Sequence, residues 1–403
     1  MLRRDLDQPW HPSYWLAALG AGGLSISFFM YLMWLVPHQG FPMPTWQHLD
    51  ALLAGDTSLP AGVRSVAIVA TLLMLLLALL HFTLLIWNIR EYRAARTTDA
   101  YQRLLDSPSE VQLMTQPLTF AMTVNVCFAL GALCVPDLWA IVEYLFPIAL
   151  LAFAAIGVWS LKLYGRYLSR MLVNGGYRQE EHNHLSPLMA VFTFSMLSVG
   201  FAAPAAMSHS VLVAALAATL SILFLVIAVV SGVLILISGL QAMLQYGLQT
   251  QATPSIWMLI PIMTLLGIEW VRVQHGLSHH FAAPVEQGKL FVVLTAIFML
   301  QLGVMLLGYR VMQLNGYLTA HLLGGQRHPV SFGLICPGVA LFVMGMFWWH
   351  LVWVQGGIVT AFGVVYWLGI AVLAVVQFLT LAALLRLSHR LLRHKSIQIA
   401  SME

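Results

Sequence analysis

The chain has 403 residues, 60% of them hydrophobic and 8% charged, where a soluble domain carries about 25% charged residues. That composition belongs to a membrane protein and leaves no room for a soluble catalytic or nucleotide-driven domain, so neither enzymatic activity nor a cofactor is expected. The net charge of +4 implies no nucleic-acid partner, because in a membrane chain the placement of Lys and Arg matters more than their sum.

A spanning helix needs about 20 apolar residues. Ten such runs follow one another at 13–36, 64–89, 117–136, 138–162, 187–207, 209–239, 254–272, 289–312, 329–353 and 357–386. The first follows Met-Leu-Arg-Arg and mimics a signal peptide, but it is longer than a signal core and no small-residue cleavage site closes it. The segment 38–63, with Pro42, Pro44, Asp50, Asp56 and Pro60, is an external loop, and 91–116 is a polar cytoplasmic connection. From Arg386 to Lys395, Arg and His recur at helical spacing, which fits a helix end in the anionic inner leaflet or a solvated extension.

Sixteen of the nineteen Lys and Arg residues precede odd-numbered runs or follow the last one; Arg64, Arg272 and Lys289 are the exceptions. The positive-inside rule then puts both termini in the cytoplasm of a multi-pass protein of the cell (inner) membrane. Cys127, Cys134 and Cys336 lie within apolar runs, which argues for packing rather than a disulfide framework.

The odd-numbered runs share a beginning: His11-Pro12, Gln116-Pro117, Ser186-Pro187, Thr253-Pro254 and His328-Pro329. Proline suits a first helical turn, where its missing N–H has no intrahelical partner. Even-numbered runs lack the signature and are rich in Leu, Ala, Val and Ile, as lipid-facing helices are. The unit is a helical hairpin used five times, at about 12–90, 117–165, 187–239, 254–312 and 329–388, with the tail 386–403 beyond. The expected fold is all-α, ten membrane helices in five hairpins around a quasi-fivefold central pore.

Eight residues beyond the starting prolines stand Gly20, Asn125, Ser195, Ile262 and Pro337, with Pro261 one step earlier. Gly22, Gly23, Ser25, Ser27, Ser198 and Gly200 add to the small and polar character of the odd runs. These positions fit the wall of a pore, though small residues also let helices pack closely. Five helix N-termini would converge on the inner mouth, where their dipoles attract anions, and no Asp or Glu is expected deep in an odd span. An anion pathway follows.

With these hairpins the sequence resembles the tellurite-resistance and dicarboxylate transporter family, which includes slow anion channels and sulfite exporters. The resemblance implies kinked inner helices around a narrow pore, a homotrimer with one pore per subunit, and a phenylalanine gate in the ninth helix. It implies small inorganic or organic anions as cargo: halide, nitrate, sulfite, tellurite or small carboxylates. Here the ninth run reads Ser331-Phe332-Gly333-Leu334-Ile335-Cys336-Pro337, with Cys336 where the gate is expected. Phe194 in the fifth run and Phe332 one turn earlier are the substitute gate candidates.

Other residues carry weaker signals. His81 reads as a hydrogen-bonded packing residue, and His275, His279 and His280 as an interfacial cluster that could also hold a metal. Glu180, Glu181, His182 and His184 precede the third hairpin as a solvated loop or a pH sensor. Glu269 and Arg272 are three apart and are expected to pair, and Trp34, Trp348, Trp349 and Trp353 form an interfacial belt. A quinol- or haem-bearing subunit of a respiratory complex is the alternative function, although no facing histidine pair is evident.

Overall fold

The computed structural model describes residues 10–55, 59–174 and 183–392. Arg3, Arg4, Asp56, Arg178, Glu180, Glu181, His182, Arg393 and Lys395 lie outside them. The described chain is all-helical, with no strand among the described residues. Ten helices are long and apolar enough to cross a membrane. They are span 1 (Pro12–Leu35), span 2 (Ala61–Ala95), span 3 (Pro108–Cys134), span 4 (Leu138–Val173) and span 5 (Leu188–Met207). The second half holds span 6 (Val211–Tyr246), span 7 (Thr250–Phe281), span 8 (Gln287–Leu314), span 9 (Pro329–Val354) and span 10 (Val364–Leu391). Short helices, Trp46–Ala54 and Asp99–Leu105, sit in two connections.

Several spans outrun the apolar segments read from sequence. Spans 4 and 6 have 36 residues each, roughly 54 Å at 1.5 Å per residue, while the hydrocarbon core is about 30 Å thick. A helix has no reason to stop where the hydrocarbon ends, because its backbone bonds are satisfied internally on both sides of that boundary. Span 7 is the consequential case: it runs nine residues past the expected end at 272, so Glu269 and Arg272 belong to its interior.

The helix starts also differ from the simple proline rule. Spans 1 and 9 open as expected, with Pro12 and Pro329 at the head of a 3-10 turn. Span 3 begins earlier than Pro117, in a 3-10 segment Pro108–Met114 capped by the Ser107 hydroxyl, which accepts from the Ser109 N–H. Pro254 lies inside the 3-10 segment Thr250–Met258. Two histidines act as caps, the Nδ1 atoms of His11 and His328 accepting from the N–H groups of Ser13 and Val330, and His184 Nδ1 accepts from the Ser186 N–H in the turn before span 5.

The odd spans touch in succession, 1 to 3, 3 to 5, 5 to 7, 7 to 9, and span 9 returns to span 1. Each even span packs against its own preceding odd span and also against the next odd one, span 10 closing onto span 1. The most apolar windows of spans 1, 5 and 9 are 89%, 94% and 72% buried, against 28%, 22% and 28% for spans 6, 8 and 10. Span 3, at 44%, is no more buried than span 2, and Cys127 on it is exposed, so that cysteine does not report tight packing. The outward faces of even spans are large apolar side chains such as Leu76, Leu151 and Leu234, the surface a lipid solvent requires.

Polar side chains buried in the even spans tie the layers together. His81 on span 2 bonds the Ala18 carbonyl at 2.8 Å and the Thr123 hydroxyl at 3.0 Å, the packing role expected of it. Gly22 makes room for that ring, since a Cβ there would stand 2.7 Å from His81 Nδ1. Gln301 on span 8 donates to the Ile260 carbonyl and the Thr264 hydroxyl. Gln377 on span 10 accepts from the Tyr31 hydroxyl at 2.9 Å and donates to Ser27 at 2.8 Å. Buried polar groups are costly unless bonded, so these pairs fix the rotation of each outer helix.

Candidate functional site

Where the odd spans surround it, the bundle holds a cavity of about 580 Å³. Nearly all of its wall comes from spans 1, 3, 5, 7 and 9, with Phe146, Ala149 and Phe153 of span 4 and Pro42 and Met43 of the first loop completing it. Its deepest residues, on the side of the helix N-termini, are Leu19, Met122, Phe192, Pro261 and Cys336. In the other direction it reaches Trp34, Met207, His279 and Leu351 at the far ends of their helices.

Of the residues expected at a pore wall, Gly20, Asn125, Pro261 and Cys336 line this cavity, whereas Phe194, Ser195, Ile262 and Pro337 do not. On span 5 the lining follows Phe192, Met196, Val199 and Ala203, the three-to-four spacing of one helix face. Phe194 is two residues off that face, so it points away, fully buried between Tyr164 of span 4 and Phe224 of span 6. Ser195 is equally buried, its hydroxyl without a partner. Phe332, the other gate candidate, is fully buried in the 3-10 turn of span 9 and also off the cavity wall. Counting residues from the prolines supplied depth but no helical phase, and the mixed result follows.

The small residues divide likewise. Gly23 and Gly200 face the cavity. Ser25, Ser27 and Ser198 turn outward, their hydroxyls donating to the carbonyls of Met74, Leu24 and Ser221. Trp34, expected in the interfacial belt, lines the cavity and stacks on His350 with ring centroids 4.6 Å apart. Trp348, Trp349 and Trp353 contact one another, and the turn from Trp349 to Val354 is a π-helix, a form that recurs at functional sites.

One cation stands in this wall. Among the described residues Arg272 is the only Lys, Arg, Asp or Glu side chain lining the cavity. It does not pair with Glu269. Its Nη1 donates to the Val199 carbonyl of span 5 at 2.8 Å, and Glu269, 2% exposed, accepts from the Ser221 hydroxyl of span 6 at 3.0 Å. The expectation that no acidic residue lies deep in an odd span is corrected here, because span 7 extends past both residues. His275 and His279 continue the Arg272 face toward the far end. His279 also meets His280 and His209, and among the described residues no group of three or more His, Cys, Asp or Glu is placed to hold a metal.

On the side of the helix N-termini the odd spans meet through direct contacts. Thr115 donates to the Pro12 carbonyl, Thr193 to the Met114 carbonyl, and the Leu185 N–H to the Ser255 hydroxyl. The 3-10 turns of spans 7 and 9 touch, and His11 meets His328 edge to face at 5.4 Å. Burial and then the neighbouring His328 hold the His11 ring at about 3. Burial, followed by His321, lowers His328 as well. Both rings are therefore neutral at pH 7.

Sequence reading missed the two buried glutamines and the phase of span 5. The glutamines were visible as lone amides inside apolar runs, a signal that normally marks an inward-facing position. No known protein family and no curated protein matches this sequence.

Proposed function

We propose that this protein is a membrane anion channel or exporter whose pathway runs through the cavity between the odd-numbered spans, the five hairpins standing in quasi-fivefold order around it. The observation that carries this reading is Arg272. A cation on a membrane-spanning helix, in a wall whose described residues include no other Lys, Arg, Asp or Glu, attracts anions and repels cations, and ionisable groups on such helices mark solute paths. The dipoles of the N-termini contribute less than their number implies, because two of the five first turns are capped by their own histidines, His11 and His328. The contacts at the N-terminal ends correspond to a closed inner mouth and the cavity to a vestibule facing the other side. With the arginine-rich connections in the cytoplasm, that side is external.

Phe192, at the deep end of the cavity, takes the plug role first assigned to Phe194 or Phe332. On the same reading the chain forms a homotrimer with a pathway in each subunit, which native mass spectrometry of the solubilised protein would register as three copies. The test of function is an ion-substitution series in proteoliposomes. Anion-dependent flux, absent from empty vesicles and lowered about tenfold or more by Arg272→Gln but less by Arg272→Lys, is the expected result; flux carried equally by cations would end the proposal.

A quinol-binding subunit is the second reading, favoured by the apolar remainder of the wall. It requires a neutral quinone to bind with an affinity that Arg272→Gln leaves unchanged.

A further inference from the structure

We infer that the cavity is a binding site for an amphiphilic organic anion: a monocarboxylate with a bulky aromatic or branched apolar body, its carboxylate on Arg272. The inference rests on the anion reading above and narrows its cargo. Size comes first. A water-sized solute occupies roughly 30 Å³, whereas the cavity holds about 580 Å³, within the range of pockets that enclose organic ligands of drug size. A halide or nitrate would fill a small fraction of it.

Wall chemistry points the same way. Six methionines, Met30, Met33, Met43, Met122, Met196 and Met207, face the interior. Thioether side chains adapt to irregular apolar shapes and contact rings favourably. Phe192, Phe128 and Trp34 add flat aromatic surface. A small hydrated ion would give up its water shell to such a wall with little in return, while an apolar body gains from every contact.

Polar groups are few and placed to orient a ligand. Arg272 spends one N–H on the Val199 carbonyl, and a guanidinium has five, so a two-pronged carboxylate contact remains open to it. Asn125, across the cavity on span 3, has its Nδ2 against the Met196 thioether at 3.5 Å. Sulfur is a weak acceptor, and the amide is available to a second polar atom of the ligand.

The test uses the full chain in lipid nanodiscs and radiolabelled 2-naphthoate. Competitors are nitrate, the neutral isostere 2-naphthylmethanol and the cationic 2-naphthylmethylamine. Saturable naphthoate binding is expected, displaced at least tenfold less effectively by each competitor than by unlabelled naphthoate. Arg272→Gln should weaken binding tenfold or more and Arg272→Lys less. The competition series on the unaltered protein stands even if the Gln variant does not fold. Absence of saturable binding, equal displacement by nitrate or by the neutral alcohol, or unchanged binding in a folded Gln variant would each overturn the assignment. Nitrate flux in proteoliposomes without naphthoate binding would sink this inference and leave the anion pathway standing. Naphthoate binding with no flux of any anion would keep the site and sink the pathway.

Discussion

Glu269 and Arg272 lie one helical turn apart on span 7, yet each bonds away from the other, the carboxylate to Ser221 at 3.0 Å and the guanidinium to the Val199 carbonyl at 2.8 Å. Spacing of three residues allows a pair but does not force one, since each side chain found a partner on a different neighbouring helix. The carboxyl of Glu269 thus depends on a neutral hydroxyl. Ser221→Ala removes that donor from a buried acceptor and should cost about 1–3 kcal/mol. Glu269→Gln, which keeps an acceptor for Ser221, should cost less. Thermal unfolding of the two variants in detergent gives the order; a larger loss for Glu269→Gln would contradict it.

Phe192 and Phe194 separate gating from packing. Phe192→Ala widens the deep end of the cavity and should raise anion flux. Phe194→Ala removes a fully buried ring between Tyr164 and Phe224 and should destabilise by about 3–5 kcal/mol without raising flux. Flux and melting temperature measured on both variants decide the matter, and a flux increase confined to Phe194→Ala would return the plug to that residue.

The Tyr31, Gln377 and Ser27 network joins span 10 to span 1. Gln377→Leu leaves the buried Tyr31 hydroxyl without its acceptor, Ser27 keeping its bond to the Leu24 carbonyl, and should cost about 1–3 kcal/mol, whereas Tyr31→Phe in the same background should add little more. A double-mutant cycle read by unfolding would give a coupling of about 0.5–3 kcal/mol, and strict additivity would show the network to be energetically idle.

Acid should loosen the junction of spans 1 and 9. His11 sits at about 3 and His328 is lowered from 6.5, while unfolded imidazoles titrate near 6.5. Below that pH the unfolded state binds more protons. The neutral rings therefore stabilise fully above about 6.5, and their contribution is lost as pH falls toward 3. His321 faces His328 and is itself lowered, first by burial and then by Arg390, whose guanidinium donates to the His321 carbonyl, so each ring of the cluster resists protonation of the next. Intrinsic amide exchange slows between pH 7.5 and 5, and once that slowing is divided out the protection factors of the Ser13 and Val330 amides should fall. His11→Asn with His328→Asn, which keeps cap acceptors but cannot titrate, should flatten that dependence.

Close packing around His81 gives a further check. Gly22→Ala puts a methyl 2.7 Å from His81 Nδ1 and 2.9 Å from Met122, so the ring must leave the Ala18 carbonyl. A loss of about 1–3 kcal/mol is expected, and an unchanged melting temperature would show that the ring yields freely.

Composition and run length were sufficient for ten apolar helices, because a bilayer core demands about 20 apolar residues per crossing whatever the fold. Residue order also gave His81 its packing role, since a lone imidazole in an apolar run must find partners. Helix ends and helix phase were not legible. The 3-10 turn from Pro108 and the extension of span 7 to Phe281 arise from caps and water-exposed turns to which hydropathy is blind. Which side of span 5 faces the cavity depends on how its neighbours pack, and that rotation put Phe192 inside and Phe194 outside. Arg272 and Glu269 stand in the sequence as an obvious couple; only the neighbouring helices, by offering Val199 and Ser221, divided them and left a single cation on the wall.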